Sequence, residues 1–324
     1  MSWQPSQPGP REFDLRRRRL VALAALVAAF IMLVLAVSLA TCGGGGGGGG
    51  ERAASTTSHK SSAHKPPAAP KPATTTPGAV PSTAPGAHKD PTAAVPILMY
   101  HVINAPKPGT ANPELWVSRD DFQAQMKYLA DQGYHAVTLQ QVWDAWHSGG
   151  LLPSKPIVVS FDDGYHSHYT NALPILKAQG WPGVENLEVN QTQQDLTPDE
   201  VKALIAAGWE VDAHTITHPD LTAVDDAQLQ QEVAGSRQQI RQQYGVAVNF
   251  FCYPAGRFDD RVIAAVKAAG FLAATTTTLG VAKPDQDPYQ LPRVRVNGSD
   301  GVDGMASSLS AVEAGQTGGN QGGE

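Results

Sequence analysis

The chain has 324 residues, with aromatics at 7% and charged residues at 17%, proportions that exclude a wholly disordered or coiled-coil protein. Its two cysteines, Cys42 and Cys252, exclude a disulfide-stapled scaffold. Charge is unevenly placed: residues 1–94 carry a net +6, residues 95–297 a net −8 and residues 298–324 a net −4, so no nucleic-acid partner is expected.

Residues 1–19 end in Arg16, Arg17, Arg18 and Arg19, and Leu20–Ala40 is then uncharged over 21 residues. At 1.5 Å per residue that run spans about 30 Å, the thickness of a bilayer's hydrocarbon core. The pattern predicts a transmembrane anchor or uncleaved signal over 20–40, with 1–19 cytoplasmic and the rest outside. The expectation is a single-pass protein of the cell membrane. The alternatives are a cleaved signal peptide, giving a secreted protein, and a lipid anchor at Cys42 in LATC. Residues 41–94 follow with eight glycines, Gly43–Gly50, and then Ala, Pro, Ser and Thr, a composition that predicts a disordered linker.

Folding signals occupy 95–297, enough for one sizeable core. Val95–Tyr100 is a short apolar run ending at His101. Ser118 caps a helix over Arg119–Asp131 that spaces Phe122, Met126 and Leu129 on one face. Ala136–Leu139 reads as a strand, Gln140–Ser148 as a helix, and PIVVSF (Pro156–Phe161) as a buried strand of the parallel type. Helix Tyr169–Gln179, strand Val184–Val189, a helix from the capping box of Thr197 and Glu200, and strand Trp209–Ala213 follow. Asp225–Tyr244 is the longest helix, then strand Ala247–Tyr253, helix Asp259–Ala269, strand Phe271–Thr275 and strand Leu291–Val296. The alternation predicts parallel strands with crossover helices, in a barrel or an open doubly wound sheet, with chemistry at the carboxyl ends of the strands. Residues 298–324 are expected to form a disordered tail.

Polar residues close several of these strands. SFDDG (Ser160–Gly164) sets Asp162 and Asp163 at the end of a buried strand, and HTITH (His214–His218) follows WEVDA, its histidines four apart as on one face of a helical turn. His101 ends the first strand and FCYPAG (Phe251–Gly256) another. Singly, each has an ordinary reading: a turn or cap for the aspartates, chance spacing for the histidines, a core position for His101. Together they converge on one rim.

The same motifs resemble the polysaccharide deacetylases, carbohydrate esterase family 4 or NodB-homology proteins. SFDDG is similar to their TFDDG, HTITH to their H-[ST]-x-x-H, and FCYPAGRFDD to their third motif, while ILMYH and LPRVRV are similar to the subgroup acting on poly-N-acetylglucosamine. The resemblance implies a distorted (β/α) barrel, usually of seven strands, in an α/β fold. It implies a divalent metal, zinc first and cobalt or manganese next, on Asp163, His214 and His218, with Asp162 as general base. Tyr253 is expected to offer a backbone N–H to the oxyanion, and His101 to act as general acid in place of a missing late histidine. Arg293 is expected to orient Asp162, with Arg295 and Arg257 as alternatives. The implied activity is removal of N-acetyl groups from an N-acetylglucosamine-containing cell-surface or cell-wall glycan by a monomeric catalytic domain. An O-acetyl esterase on a glycan such as xylan and a non-catalytic glycan-binding module are the other readings. Trp116, Trp143, Trp146 and Trp181 are candidates for stacking on sugars, His166 and His168 for lining the cleft, and Cys252 is expected to be a small core residue.

Overall fold

Apolar strands alternate with capped helices, and the computed structural model, which describes residues 84–190 and 196–319, arranges them as a closed parallel barrel. Val102–Ile103 and Trp116–Val117 form a separate two-stranded sheet; the strands of the main sheet are β1 (Ile97–Tyr100), β2 (His135–Ala136), β3 (Pro156–Asp163), β4 (Val184–Leu187), β5 (Glu210–Ala213), β6 (Phe250–Cys252), β7 (Ala273–Leu279) and β8 (Leu291–Arg295). Their order is β1-β8-β7-β6-β5-β4-β3-β2, and β1 also pairs with β3, so seven strands form the ring and β2 lies outside it. Every pairing in the ring is parallel. The distortion lies between β7 and β8, where the register shifts between Leu291 and Arg293.

Alternation along the strands divides the residues into two layers. Outward residues such as Leu98, Val159, Phe161, Val211 and Phe251 pack under the helices in one large cluster. A second cluster joins Ile97, Val158, Val184, Phe250, Ala273 and Leu291 to Leu139, Val142, Ala145 and Trp146 of helix α2 (Leu139–Ser148), which follows α1 (Arg119–Asp131). Ser118 caps α1 by accepting from the Asp121 N–H, and Thr138 and Gln141 form a capping box on α2. Helix α3 (Leu173–Ala178) is entered through a π turn, His168–Ala172. Helix α4 (Pro198–Ala206) carries the Thr197–Glu200 capping box. The run expected over 225–244 is α5 (Asp226–Gln230), a π turn (Gln231–Gly235) and α6 (Ser236–Tyr244), and α7 (Asp260–Ala268) precedes β7.

The packed structure extends past Asn297, where composition puts the domain's end. Helix α8 (Gly301–Glu313) buries Met305, Leu309 and Val312 in the main cluster. At the other end, His88 forms an antiparallel bridge with Leu152, so residues 84–94 are held against the domain.

The transmembrane expectation is corrected. Among the described residues no helix is long and apolar enough to cross a membrane. Helices α1 and α8 have 13 residues each; at 1.5 Å per residue that is about 20 Å, short of a hydrocarbon core of about 30 Å, and the longer run from α5 through its π turn to α6 is too rich in Gln, Arg, Asp and Glu to lie in one. Residues 20–40 and Cys42 lie outside the described residues, and the membrane partner and single-pass localisation built on them are not carried forward.

Candidate active site

The polar residues meet at the carboxyl ends of β1, β3, β5, β6 and β8. On β3, Ser160 and Asp162 face the barrel interior with Val158, so the strand that begins apolar ends in a carboxylate. Asp162 has no exposed side-chain surface and is met by Arg293 from β8 in a two-pronged pair, Nη1 to Oδ1 at 2.8 Å and Nη2 to Oδ2 at 2.7 Å. Asn186 Nδ2 donates to Oδ1 at 2.7 Å. The Arg293 Nε–H donates to the Thr276 carbonyl at 2.8 Å, beside the shift in strand register. Burial acts to raise the Asp162 pKa, but the guanidinium outweighs it, and the carboxyl is held well below the usual range. His101 Nε2 stands 4.0 Å from Asp162 Oδ2, and the imidazole is almost fully buried.

Asp163 and Gly164 both have positive φ, 82° and 92°, which turns the chain at the rim. His214 follows β5, and its Nδ1–H donates to the Cys252 carbonyl at 2.8 Å, leaving Nε2 to face the rim. His214 Nε2 lies 3.3 Å from Asp163 Oδ1 and 3.1 Å from His218 Nε2, which in turn lies 3.6 Å from Asp163 Oδ1. HTITH is not a helical turn: it is a bend in which Thr215 (φ 68°) and His218 (φ 52°) are left-handed. Glu232, from the π turn before α6, holds it. The carboxylate accepts from Ile216 N–H at 2.7 Å, Thr217 N–H at 2.9 Å and the Thr217 hydroxyl at 2.6 Å. Gly235 lets that turn approach, since a Cβ there would sit 3.0 Å from Ile216 Cδ1.

These donors fit a divalent metal. An ion about 2.1 Å from three donors of a tetrahedron separates them by about 3.4 Å, and the observed edges are 3.1, 3.3 and 3.6 Å. Asp163 Oδ1 is buried with no hydrogen-bond donor on it, the state of a ligand oxygen. A second set, Asp162, His214 and Cys252, is also close enough to share an ion. Its carboxylate is already filled by Arg293, whose Nη2 also lies 3.2 Å from Cys252 Sγ.

A cleft of about 240 Å³ opens over this rim, lined by Asp163, Tyr165, Glu188, His218, Ala255 and Arg257 among others. The structure relocates several expected contributors. The Tyr253 N–H bonds the Thr275 carbonyl at 3.2 Å in the sheet ladder, and its hydroxyl donates to the Tyr289 carbonyl, so it is not an oxyanion donor. Of that motif, Pro254 and Ala255 reach the cleft, Ala255 with φ 50°. Arg257 pairs with Asp220 at 3.1 Å instead of Asp162, and Arg295 is buried. His166 pairs with Glu200, and His168 is buried against Glu185. Trp146 and Trp181 are buried and Trp143 stacks on His147; no tryptophan lines the cleft among the described residues. Tyr165 and Glu188 line it without having been singled out from the sequence, for neither lies in a motif whose spacing signals chemistry.

The polysaccharide deacetylase family model matches residues 150–274. YxkH of Bacillus subtilis (strain 168), named as a polysaccharide deacetylase, is 31% identical over 216 residues, which are 66% of this chain and 75% of that one. A 60-residue stretch, 18% of this chain and 9% of the relative, is 45% identical to the poly-beta-1,6-N-acetyl-D-glucosamine N-deacetylase of Escherichia coli (strain K12). The Streptococcus pyogenes deacetylase PplD, solved in complex with acetate, superimposes with a TM-score of 0.63 at 25% identity, covering 67% of this chain and 99% of that one. Donor cluster and fold together make this protein a metal-dependent amide hydrolase. With 31% identity over 216 aligned residues that span 75% of YxkH, the chain belongs to the polysaccharide deacetylases.

Proposed function

We propose that the protein removes N-acetyl groups from an N-acetylglucosamine-containing polysaccharide of the cell surface or wall and releases acetate. The observation that carries this reading is the Asp163–His214–His218 triangle, whose Asp163 and His218 line the cleft, beside a buried, ionised and arginine-held Asp162. The similarity to the E. coli poly-N-acetylglucosamine enzyme supports the sugar, and the acetate in PplD supports the product.

Asp163, His214 and His218 would hold the divalent metal, zinc first among the candidates, which supplies Lewis acidity to the acetamide carbonyl and to water. Asp162 is the base that takes the proton of the attacking water. Arg293 keeps it ionised and fixes its orientation. His101, beside Asp162 Oδ2, is the proposed donor of a proton to the leaving nitrogen. Asp163, Glu188 and Asp220 make the cleft acidic, with Arg257 partly offsetting them, which suits a glycan that gains free amines as the reaction proceeds.

The test is acetate release from N-acetylglucosamine oligomers, purified peptidoglycan and acetylxylan, measured as isolated, after chelation and after metal is returned, with D162N alongside. Metal-restored release from the amide substrates, lost in D162N, is the expected result. Release from acetylxylan alone, or none from any substrate with metal bound, overturns the proposal.

A further inference from the structure

On the outer wall of the barrel, behind His101, lies a third buried histidine. His168 has no exposed side-chain surface. Its Nδ1 is 2.8 Å from Glu185 Oε2 and its Nε2 is 2.6 Å from the backbone oxygen of His101. Nε2 gives its hydrogen to the carbonyl, and with Glu185 ionised Nδ1 also carries one, making the ring an imidazolium; burial raises the Glu185 pKa as well, against the pull of His168. Burial opposes that charge, and the Glu185 carboxylate outweighs it, raising the His168 pKa. The same turn makes two more bonds to the short strand Val102–Ile103 that follows His101. Ser167 Oγ accepts from the Ile103 N–H at 3.0 Å, and Asn171 Nδ2 donates to the Ile103 carbonyl at 2.7 Å. His168 and Asn171 lie in the π turn His168–Ala172, the kind of one-residue insertion that recurs at functional sites. A buried charged pair is an expensive way to pack a helix on a sheet, since an apolar pair of similar volume does so without desolvation cost. What this pair holds is the segment that carries His101 to within 4.0 Å of Asp162.

We propose that His168, charged and held by Glu185, is a positioning residue that fixes the His101 carbonyl and thereby sets the His101 imidazole against Asp162. The proposal rests on the deacetylase reading for its kinetic consequence and on geometry alone for its effect on His101.

The experiment uses the zinc-loaded protein, with H168Q, E185Q, H101Q and the H101Q/H168Q double variant. Measured are kcat and KM for acetate release from N-acetylglucosamine oligomers, metal content, and ¹⁵N ring resonances of the histidines. H168Q is expected to lower kcat by about 10- to 100-fold, the range for partners that orient a site residue, with KM and metal content unchanged. In the H101Q background the same change costs nothing further, because His168 acts through His101. E185Q keeps most of kcat: a glutamine amide can donate to Nδ1 while a neutral ring keeps its Nε2–H on the carbonyl. In the wild type both ring nitrogens of His168 carry hydrogen, and in E185Q only one does. Additive losses in the double variant, a loss confined to KM or metal content, or a neutral wild-type ring would overturn the proposal. Should the wild type release no acetate, the deacetylase reading falls, and the His101 resonances decide this one: shifted in H168Q supports it, unmoved overturns it. If H168Q fails to fold, N171A and S167A cut the same clamp. A drop in kcat or a shift of the His101 resonances in either then supports positioning, and no change in both overturns it.

Discussion

Arg293 and Asp162 lie 131 residues apart in sequence and meet across the barrel interior at 2.7 and 2.8 Å, neither side chain exposed. Removing one partner of such a pair leaves an uncompensated buried charge, worth about 3–5 kcal/mol. R293A is therefore expected to lower stability by about that amount, with acetate release falling at least tenfold further than the unfolded fraction explains. The sign with pH follows from the lowered Asp162 pKa. The pair's contribution is present above the unfolded aspartate value of about 3.9 and is lost as pH falls below it. The gap in melting temperature between wild type and R293A should be constant above about pH 5 and begin to close only as pH falls below about 4, continuing to close at still lower pH; a gap unchanged from about pH 5 down to about pH 2 would sink the assignment.

Metal removal should abolish acetate release without unfolding the domain, because the donors sit at strand ends above an independent apolar cluster. H218A and H214A are each expected to lose metal affinity and activity by about 100-fold or more, the effect of deleting one of three protein ligands. C252A should keep its metal, since the set containing Cys252 is occupied by Arg293. Metal analysis after dialysis separates the cases, and metal loss in C252A with retention in H218A would reverse the choice of set.

How far sequence reasoning reached follows from the range of each interaction. PIVVSF was legible because a strand buried on both faces is continuously apolar, and the α4 start because a capping box is local. The pairing of Arg293 with Asp162 needed the family resemblance, since no local pattern links residues from β8 and β3. Tyr253 misleads because register, which spacing does not reveal, assigns its N–H to Thr275. The four-residue interval of HTITH fits a helical turn and the observed bend equally; Glu232, whose hydrogen bonds choose the bend, lies 14 residues further on. Helix α8 did carry its signal, Met305, Leu309 and Val312 at helical spacing, but among glycines and serines of low helix propensity.

The FCYPAG turn makes the third prediction. Gly256 has φ 64°, and a Cβ built on it would overlap the Thr277 hydroxyl and approach Thr277 Cβ at 2.8 Å, on the neighbouring β7. G256A must therefore strain the backbone and displace Thr277, costing about 2–4 kcal/mol together. Because Pro254 and Ala255 in the same turn line the cleft, kcat should fall as well. The double change G256A/T277S frees the methyl but leaves the hydroxyl and the left-handed φ, so it should recover only part of the melting temperature; full recovery would show that φ carries no cost here.

Glu210 and Asp212 alternate on β5 below His214, both buried. Glu210 Oε2 accepts the Gln140 N–H at the start of α2, and Asp212 Oδ1 accepts the Phe250 N–H. Burial pushes the Glu210 carboxyl up to about 7, against bonds from Gln140, Asp212 and their neighbours that act to lower it, and burial together with Glu210 raises the Asp212 carboxyl as well, so the two titrate as a pair. A folded pKa above the unfolded value means that the native state keeps a proton the unfolded chain gives up, so the Glu210 contribution to stability declines as pH rises from about 4.5 through about 7. The full shift corresponds to roughly 3 kcal/mol as an upper bound. E210Q retains an acceptor for the Gln140 N–H and has no proton to lose, so its melting temperature should change less than that of the wild type between pH 4.5 and pH 7. The gap between the two should widen in favour of E210Q as pH rises. Metal-free protein is the right sample, because ligand binding at His214 carries its own pH dependence. A wild-type stability that rises over this interval in parallel with E210Q would mean that Glu210 is ionised in the folded barrel and that α2 alone neutralises it.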